Sequence, residues 1–559
     1  MSCIATTVLR LSLLALVFTA VLRGAEDFTA FIKGGTMSHV PQRDDLGFVY
    51  RNASGTAESP YKTMKLAGCT YAHFDLWTGT TGTRHIGRVK TEALRAKNEG
   101  LKVMINFFYS DDYSNNLPAG WPSDLPSLQD QVYAYTYDCL SQLAAIGAPA
   151  DMVKIGNEID GTWRDGFLLP VGQKSSSYAN FVALLKEGVA ATRDFDPGIK
   201  ISIHSADNSP TDNVTFYQGL INNLVDFDVI ALSAYAESSY DFTVLQNNLT
   251  TLAATFSKKI LVCETATNWT STNYDSTTNR YSSSLSGHPK TQTGAYTFYA
   301  RMMDMVAKTA GSKGVGVLVW PFAYTAVSGA NSSGDAACFW DSTTGNAIAA
   351  LQTWANPVSI GSGLAALTEP AATELINDNF NSGTVGSAPA GWTVSAPSGT
   401  TIAIADDPGS GNRSVKLGDT STTNAGYIER TFTSAGTPLR LQFRFKTTNV
   451  TNGYAAFTLR NGSSTVATHL IVENGQLNFR ASDNKSIPVA VLTANTWHDV
   501  KLVAQPGATL AYFDLYVNGV RVHSRAGFRT VTGAIDRVRL STGGAGASDV
   551  FVDNVIVSR

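Results

Sequence analysis

The chain has 559 residues, 43% of them apolar and 16% charged, with a formal net charge of −3. That length asks for two or three domains, and that composition buries large cores, which excludes a disordered protein. With no basic block, nucleic acid is excluded as a partner, because phosphate binding needs clustered Lys and Arg. Aromatics at 10% and 48 glycines suit a loop-rich protein that handles neutral ligands.

At the start of the chain, Arg10 precedes an apolar run from Leu11 to Leu22, and the small residues Gly24 and Ala25 follow before Glu26. This is the layout of a cleaved signal peptide over residues 1–25. The run is too short to span a bilayer, so the expectation is a secreted or periplasmic protein with no membrane contact after cleavage. Cys3 lies ahead of the run; Cys69, Cys139, Cys263 and Cys338 remain, none with C-x-x-C spacing, which argues against a metal site. Cys69, Cys139 and Cys263 sit in apolar elements and read as buried thiols, and export leaves room for one disulfide.

From residue 26 to 356, strand-like apolar runs alternate with segments of helical period. The runs are 28–35, 70–77, 101–108, 152–156, 199–204, 227–234, 259–264 and 314–320, and the helical stretches include 84–98, 128–146, 178–193, 244–256 and 291–310. Gly100 and Gly147 fall where helix C-caps belong. Continuous apolar strands alternating with helices imply a parallel sheet, and eight repeats in this length predict an α/β fold, the (β/α)8 TIM barrel. No G-x-G-x-x-G follows the first strand, which speaks against a doubly wound dinucleotide fold.

Residues 357–374 are rich in Gly, Ser, Ala and Thr and read as a linker or packed connector. After them, no convincing helix is found over residues 375–559. Short alternating runs recur at 425–432, 439–446, 455–460, 469–473, 477–481, 497–504, 511–517, 537–540 and 550–557, with hairpin turns at Asn474-Gly475 and Asn518-Gly519. An all-β antiparallel sandwich of jelly-roll type is expected. Asp378-Asn379-Phe380, Gly391-Trp392, Trp497-His498-Asp499 and Phe551-Val552-Asp553-Asn554-Val555 resemble the concanavalin-like (laminin-G-like) modules appended to polysaccharide hydrolases. That resemblance implies a glycan-binding module or a stabilising spacer. Asp378, Asp553 and Asn554 are hard oxygen donors that would suit a structural calcium, against a plain turn-forming role.

Two apolar runs end in glutamate. Gly156-Asn157-Glu158 closes strand four and Glu264 closes strand seven, so a closed barrel would project both carboxylates into one mouth. Two carboxylates flanking a cleft are what glycosidic-bond cleavage requires, one as acid and one as nucleophile or base. Such a pair pushes its two pKa values apart. No cofactor is called for by this chemistry.

Gly156-Asn157-Glu158-Ile159 with 166–172, Gly100–Met104 leading to Tyr109-Ser110-Asp111, Ile203-His204, Ser233 with Tyr235, and Glu264-Thr265-Ala266 with Trp269 resemble glycoside hydrolase family 53. These are the endo-β-1,4-galactanases of clan A, and the likeness spans residues 27–355 in order. The resemblance implies Glu158 as acid/base, Glu264 as nucleophile of a retaining mechanism, and Asn157 as the partner of the sugar 2-hydroxyl. It also implies an arginine on strand two, and residues 71–75 carry none. Asn106 and Phe108 stand where the family shows Asp and His, Thr267-Asn268 replaces an aromatic and a proline, and Pro321 follows Trp320 where an acidic residue is usual. These positions shape sugar subsites, so the chemistry transfers better than the substrate.

Supporting residues follow from their own chemistry. Tyr235 can donate to an ionised nucleophile; Trp320, Trp77 and Trp163 offer flat faces for a pyranose; His204 can bond a sugar or orient Glu158. His39 and Asp75 are polar strand-end residues without a role, and Asp111 and Glu237 read as loop residues. The expected partner is a polysaccharide, β-1,4-galactan first. Alternatives are another β-glycan such as mannan or glucan, or a degenerate barrel that binds glycan without cutting it.

Overall fold

The computed structural model describes residues 26–559 apart from 236–240, 282, 372, 437, 452–454 and 544–546. The signal-peptide reading of residues 1–25, and Glu237, lie outside the described residues. Among the described residues no helix is long and apolar enough to cross a membrane.

Eight parallel strands close a barrel in sequence order: β1 (Ile32–Thr36), β2 (Tyr71–Leu76), β3 (Lys102–Phe107), β4 (Met152–Ile155), β5 (Lys200–Ser205), β6 (Val229–Ser233), β7 (Lys259–Glu264) and β8 (Gly314–Val319). Each lies within a run expected to be a strand or overhangs it by one residue. Around them stand α1 (Val40–Asp45), α2 (Pro60–Leu66), α3 (Ile86–Asn98), α4 (Leu125–Ala145), α5 (Tyr178–Phe195), α6 (Pro210–Asn222), α7 (Phe242–Thr255) and α8 (Gln292–Ala307). The strands are buried on both faces, and their side chains alternate between two cores. Phe74, Ile105, Ile155, Ile203 and Val262 pack outward under the helices, whereas Tyr71, Met104, Met152, Ala231 and Leu261 fill the barrel's interior. The barrel closes tightly where β1 meets β2. Gly34 has φ 151°, and a Cβ there would collide with the Tyr71 carbonyl oxygen.

The period of two sets the chemistry of the interior. Above the apolar floor, the inward positions become polar: His73 and Asp75 on β2, Asn106 on β3, Lys154 on β4, His204 on β5 and Ser233 on β6, every one buried. This polar tier lies toward the carboxyl ends of the strands, where the loops build a site.

Between Glu374 and Ser558, antiparallel strands form two sheets of eight and seven that pack face to face over a second core. The last strand, Ser548–Ser558, runs up the middle of the larger sheet between Asn412–Asp419 and Leu439–Thr447. Both expected hairpin turns have left-handed backbone, with φ 55° and 76° at Asn474-Gly475 and 50° and 80° at Asn518-Gly519.

Residues 357–374 are a packed connector. The Leu364 amide donates to Asp304 Oδ1 of α8 at 2.8 Å, the Leu367 amide to Asp514 Oδ2 of the sandwich at 2.9 Å, and Glu369 pairs with Lys501 at 2.5 Å. The domains also touch directly. Tyr296 of α8 stacks on Tyr512 with centroids 4.5 Å apart, and buried Arg525 donates to Asp514 Oδ1 at 2.8 Å and to Asn356 Oδ1 at 3.2 Å. The four described cysteines are all buried and free, so the disulfide allowed for by export is not formed. Cys139 lies in α4 and Cys263 in β7, whereas Cys69 and Cys338 lie in buried connecting segments, and burial pushes each thiol up and leaves it inert.

Candidate active site

After β4 the chain turns sharply, with Gly156 at φ 76° and Glu158 at φ 50°. Glycine adopts this backbone freely; for glutamate it costs roughly 1 kcal/mol or more and persists only when the surroundings hold it. The fixings are the Asn115 side chain, which donates to the Asn157 carbonyl at 3.0 Å, and the Ile159 amide, which donates to the His204 carbonyl at 3.3 Å. Glu158 is thereby turned toward the barrel mouth, and its Oε1 accepts a 2.6 Å hydrogen bond from Ser233 at the end of β6.

Glu264, the last residue of β7, faces it. Its Oε1 accepts from Lys154 Nζ at 3.0 Å and its Oε2 from Tyr235 at 2.7 Å. Lys154 also donates to Asn157 Oδ1 at 2.8 Å, and Asn106 Nδ2 donates to the same oxygen at 3.1 Å. With its carbonyl oxygen so occupied, the Asn157 amide group turns its NH2 to the cleft.

Burial and neighbouring charge act strongly on Glu158. Burial, and then the negative charge of Glu264, push Glu158 up to about 8, against the opposing pull of Ser233 and Lys154. Burial works against the charge on Lys154, but Glu264, Cys263 and Asp75 together outweigh it and raise the ammonium's pKa. Burial and then Lys154 push His73 down to about 3 and hold His204 well below its usual range, so both imidazoles are neutral. Glu158 and Glu264 share a cleft of about 620 Å³ that both line together with Asn157, Trp163, Tyr235 and Trp320.

The supporting residues fall on different sides of the cleft wall. His204 is wholly buried beneath the cleft, bonded to Lys154 and Ser233, so it supports the site and touches no sugar. Trp77 is not part of the cleft wall; its ring packs edge-on to Tyr113 with centroids 5.1 Å apart, and the Arg84 guanidinium sits 4.6 Å above it. Tyr113 takes the wall position instead. His39 is buried and stacked on Tyr324 at 3.6 Å. Trp163 is 46% exposed and Trp320 9%, both on the wall, so each presents a ring face or edge to the cleft. Asp75 lies on the cleft floor, accepting from Asn106 at 3.0 Å, while Asp111 is tied into its loop by Thr78 and Ala119.

Sequence reasoning passes over Lys154 and Tyr281, which stacks on Tyr235 with centroids 4.7 Å apart, and quotes Ser233 without giving it a role. For Lys154 a signal existed. A lysine between Val153 and Ile155 in a strand buried on both faces must point inward with Met152.

In the sandwich, Asp378 and Val555 are paired across neighbouring strands. The Asp378 carboxylate is taken up by Phe380 N at 2.9 Å, Trp392 Nε1 at 2.9 Å and Arg430 at 3.4 Å. Asp553 is buried with Oδ2 unpartnered, and Asn554 is exposed at a bulge with φ 52°. Calcium takes six to eight oxygens, and among the described residues no group of three or more His, Cys, Asp or Glu gathers to hold a metal. This donor set does not fit calcium as it stands.

Residues 32–354 match the model of glycosyl hydrolase family 53. The chain is 32% identical over 306 residues to an arabinogalactan endo-beta-1,4-galactanase of Thermothelomyces thermophilus, covering 52% of this chain and 88% of that one. It is 28% identical over 351 residues to the enzyme of the same name from Cellvibrio japonicus, covering 58% and 90%. Among solved structures, the Ignisphaera aggregans GH53 catalytic domain superposes with a TM-score of 0.55 at 28% identity, covering 59% of this chain and 98% of that one. Fungal beta-1,4-galactanases superpose with a TM-score of 0.52 at 27% identity, over 58% and 99%. The family match covers the barrel; with the paired glutamates at the ends of β4 and β7, these likenesses establish that the chain belongs to glycosyl hydrolase family 53 and is a glycoside hydrolase.

Proposed function

We propose that the protein is an endo-β-1,4-galactanase working by double displacement. The Glu264 carboxylate attacks the anomeric carbon while Glu158 gives its proton to the leaving oxygen, so that the glycosidic bond breaks and a glycosyl ester forms. Glu158, now ionised, takes a proton from water, the hydroxide oxygen attacks the same carbon, and the ester bond breaks to return Glu264 as a carboxylate. Asn157 donates to the sugar 2-hydroxyl, and Trp320 and Trp163 carry flanking pyranose rings. The observation that carries this reading is the pair itself: Glu158, held by Ser233 at 2.6 Å and raised to about 8, shares one cleft with Glu264, which accepts from Lys154 at 3.0 Å. The named galactanase relatives supply the substrate.

Export by a signal at residues 1–25 would place the enzyme with its polymer. The sandwich would act as a carbohydrate-binding module on the same chain. The test is reducing-end release from galactan, mannan and β-glucan, with the anomer of the first product read by NMR. Cleavage of galactan alone with retained β-configuration is the expected result; a folded protein inactive on all three would overturn the proposal. Retention of the chain, but not of its 26–356 fragment, on insoluble galactan would support the module.

A further inference from the structure

Lys154 projects into the barrel with its side chain wholly buried. An ammonium is tolerated there only if its charge and its protons are matched. They are, by Asn157 Oδ1 at 2.8 Å, His204 Nδ1 at 3.0 Å and Glu264 Oε1 at 3.0 Å. An ammonium has three donors and no acceptor, so His204 Nδ1 must accept, and the ring proton must sit on Nε2. Nε2–H then donates to Ser233 Oγ at 3.0 Å, which commits the serine hydroxyl to donate to Glu158 Oε1 at 2.6 Å. The direction of the whole chain follows from one positive charge.

We propose that Lys154 is the positioning residue of this site. It acts directly on Glu264 and, through the fixed polarity of His204 and Ser233, on Glu158, so that the acid's proton is confined to Oε2. For a proton on Oε1, the Ser233 hydrogen would need another acceptor, and the described residues place none within bonding distance of that hydroxyl. Oε2 is the oxygen left to meet the glycosidic bond. One cation therefore aims the nucleophile, orients Asn157 and sets which oxygen of the acid delivers the proton. This rests on Glu158 and Glu264 being the acid and the nucleophile.

Arg280 lines the same cleft but stands over Trp320, 5.6 Å from its ring centre, and forms no ion pair with Glu264 among the described residues. β2 contributes neutral His73 and the Asp75 carboxylate, whose cation is Arg84 at 3.8 Å. β7 contributes the Cys263 thiol, kept protonated by burial. Beyond Glu264 stand the phenols Tyr235, Tyr281 and Tyr113, and across from it Glu158. Among the described residues, Lys154 is the cation that reaches Glu264.

Lys154→Met, neutral and of similar length, tests this in the full chain. Roughly a 100-fold or larger fall in kcat is expected, with KM changed less than about threefold. The alkaline limb of kcat/KM should move to higher pH, because Lys154 is one of the groups that pull Glu158 down from the value burial gives it. Side-chain 15N NMR of the eight histidines provides a readout independent of activity. Wild-type His204 should appear as the neutral Nε2–H tautomer throughout the active pH range, and the Met variant should lose that single tautomer. A wild-type Nδ1–H tautomer, or a folded Met variant with unmoved limbs, would overturn the proposal. If the variant fails to fold, the wild-type tautomer still decides. Should Glu264→Ala retain full activity, the catalytic reading fails instead, and the His204 spectrum reports on the relay alone.

Discussion

Replacing Ser233 with Ala isolates one bond in the proton economy of the site. The Ser233 hydroxyl donates to Glu158 Oε1 at 2.6 Å and so stabilises the ionised acid. With Glu158 at about 8, the acid is roughly nine-tenths protonated at about pH 7 and roughly one-tenth at about pH 9. A hydrogen bond to a charged group is worth roughly 1.5–3 kcal/mol, equivalent to about one to two pH units at 1.36 kcal/mol each. The cleft is open, so water replaces part of the bond, and about one unit is the expected net effect. Removing a bond that favours the charged form raises the pKa, so the alkaline limb of kcat/KM moves upward, from about 8 to roughly 9. Relative to its own rate at about pH 7, the variant should then keep roughly fivefold more activity at about pH 9 than wild type does. The assay is kcat/KM on soluble galactan across about pH 5 to 10. An unmoved limb, or one shifted to lower pH, would refute the assignment of Glu158 as the acid held by Ser233.

Three further outcomes are expected. Glu264→Ala should lose turnover by roughly 10⁴-fold or more; azide should restore part of it and appear in the product as a glycosyl azide, whereas near-normal activity without azide would strip Glu264 of its role. Glu158→Gln should change stability with pH, since Glu158 is raised from 4.5 to about 8 in the folded protein. Its stabilising contribution is full below the unfolded value and lost as pH rises through the folded one, so at about pH 9 the variant should melt above wild type by about 2 kcal/mol after allowance for the open cleft, and at about pH 4 show no such gain. Asp514→Ala should cost roughly 3–5 kcal/mol, because it strands buried Arg525 and frees the Leu367 amide; thermal unfolding reads this as a lowered transition, and an unchanged one would show that the junction carries no stability.

The barrel was legible because its eight strands are unbroken apolar runs, and the two glutamates stood out because each ends such a run. Lys154 escaped notice for the converse reason. One lysine in a four-residue strand does not interrupt an apolar average, and only the closed barrel shows that β2 and β4 point into one interior. Along the sequence, residues 71–75 look like a site that has lost an arginine; in space, the charge beside Glu264 arrives from β4. Helix α6 escaped because Gly219 and its β-branched and polar residues blur the helical period, although Ser209 caps it and Pro210 opens it. In the sandwich, strands Thr400–Gly409 and Asn412–Asp419 were missed because Asp, Pro and Gly read as turn signals, whereas here they sit in a long edge hairpin. Trp77 and His204 were placed correctly at strand ends, but which side of the wall a residue occupies depends on neighbours such as Tyr113 and Ser233 that sequence order does not reveal.

The packed connector has a consequence for long substrates. A free 18-residue tether would let the sandwich wander over roughly 23 Å, and a polymer caught by it could reach the cleft at almost any length or angle. Pinned by Asp304, Asp514 and Glu369, the second domain behaves as a fixed jaw. As the carbohydrate-binding module proposed above, it would hand a glycan to the active site in one direction and at one offset, a ruler counted in sugar units. Its help would be absent for oligosaccharides too short to bridge that offset and would set in abruptly once they do.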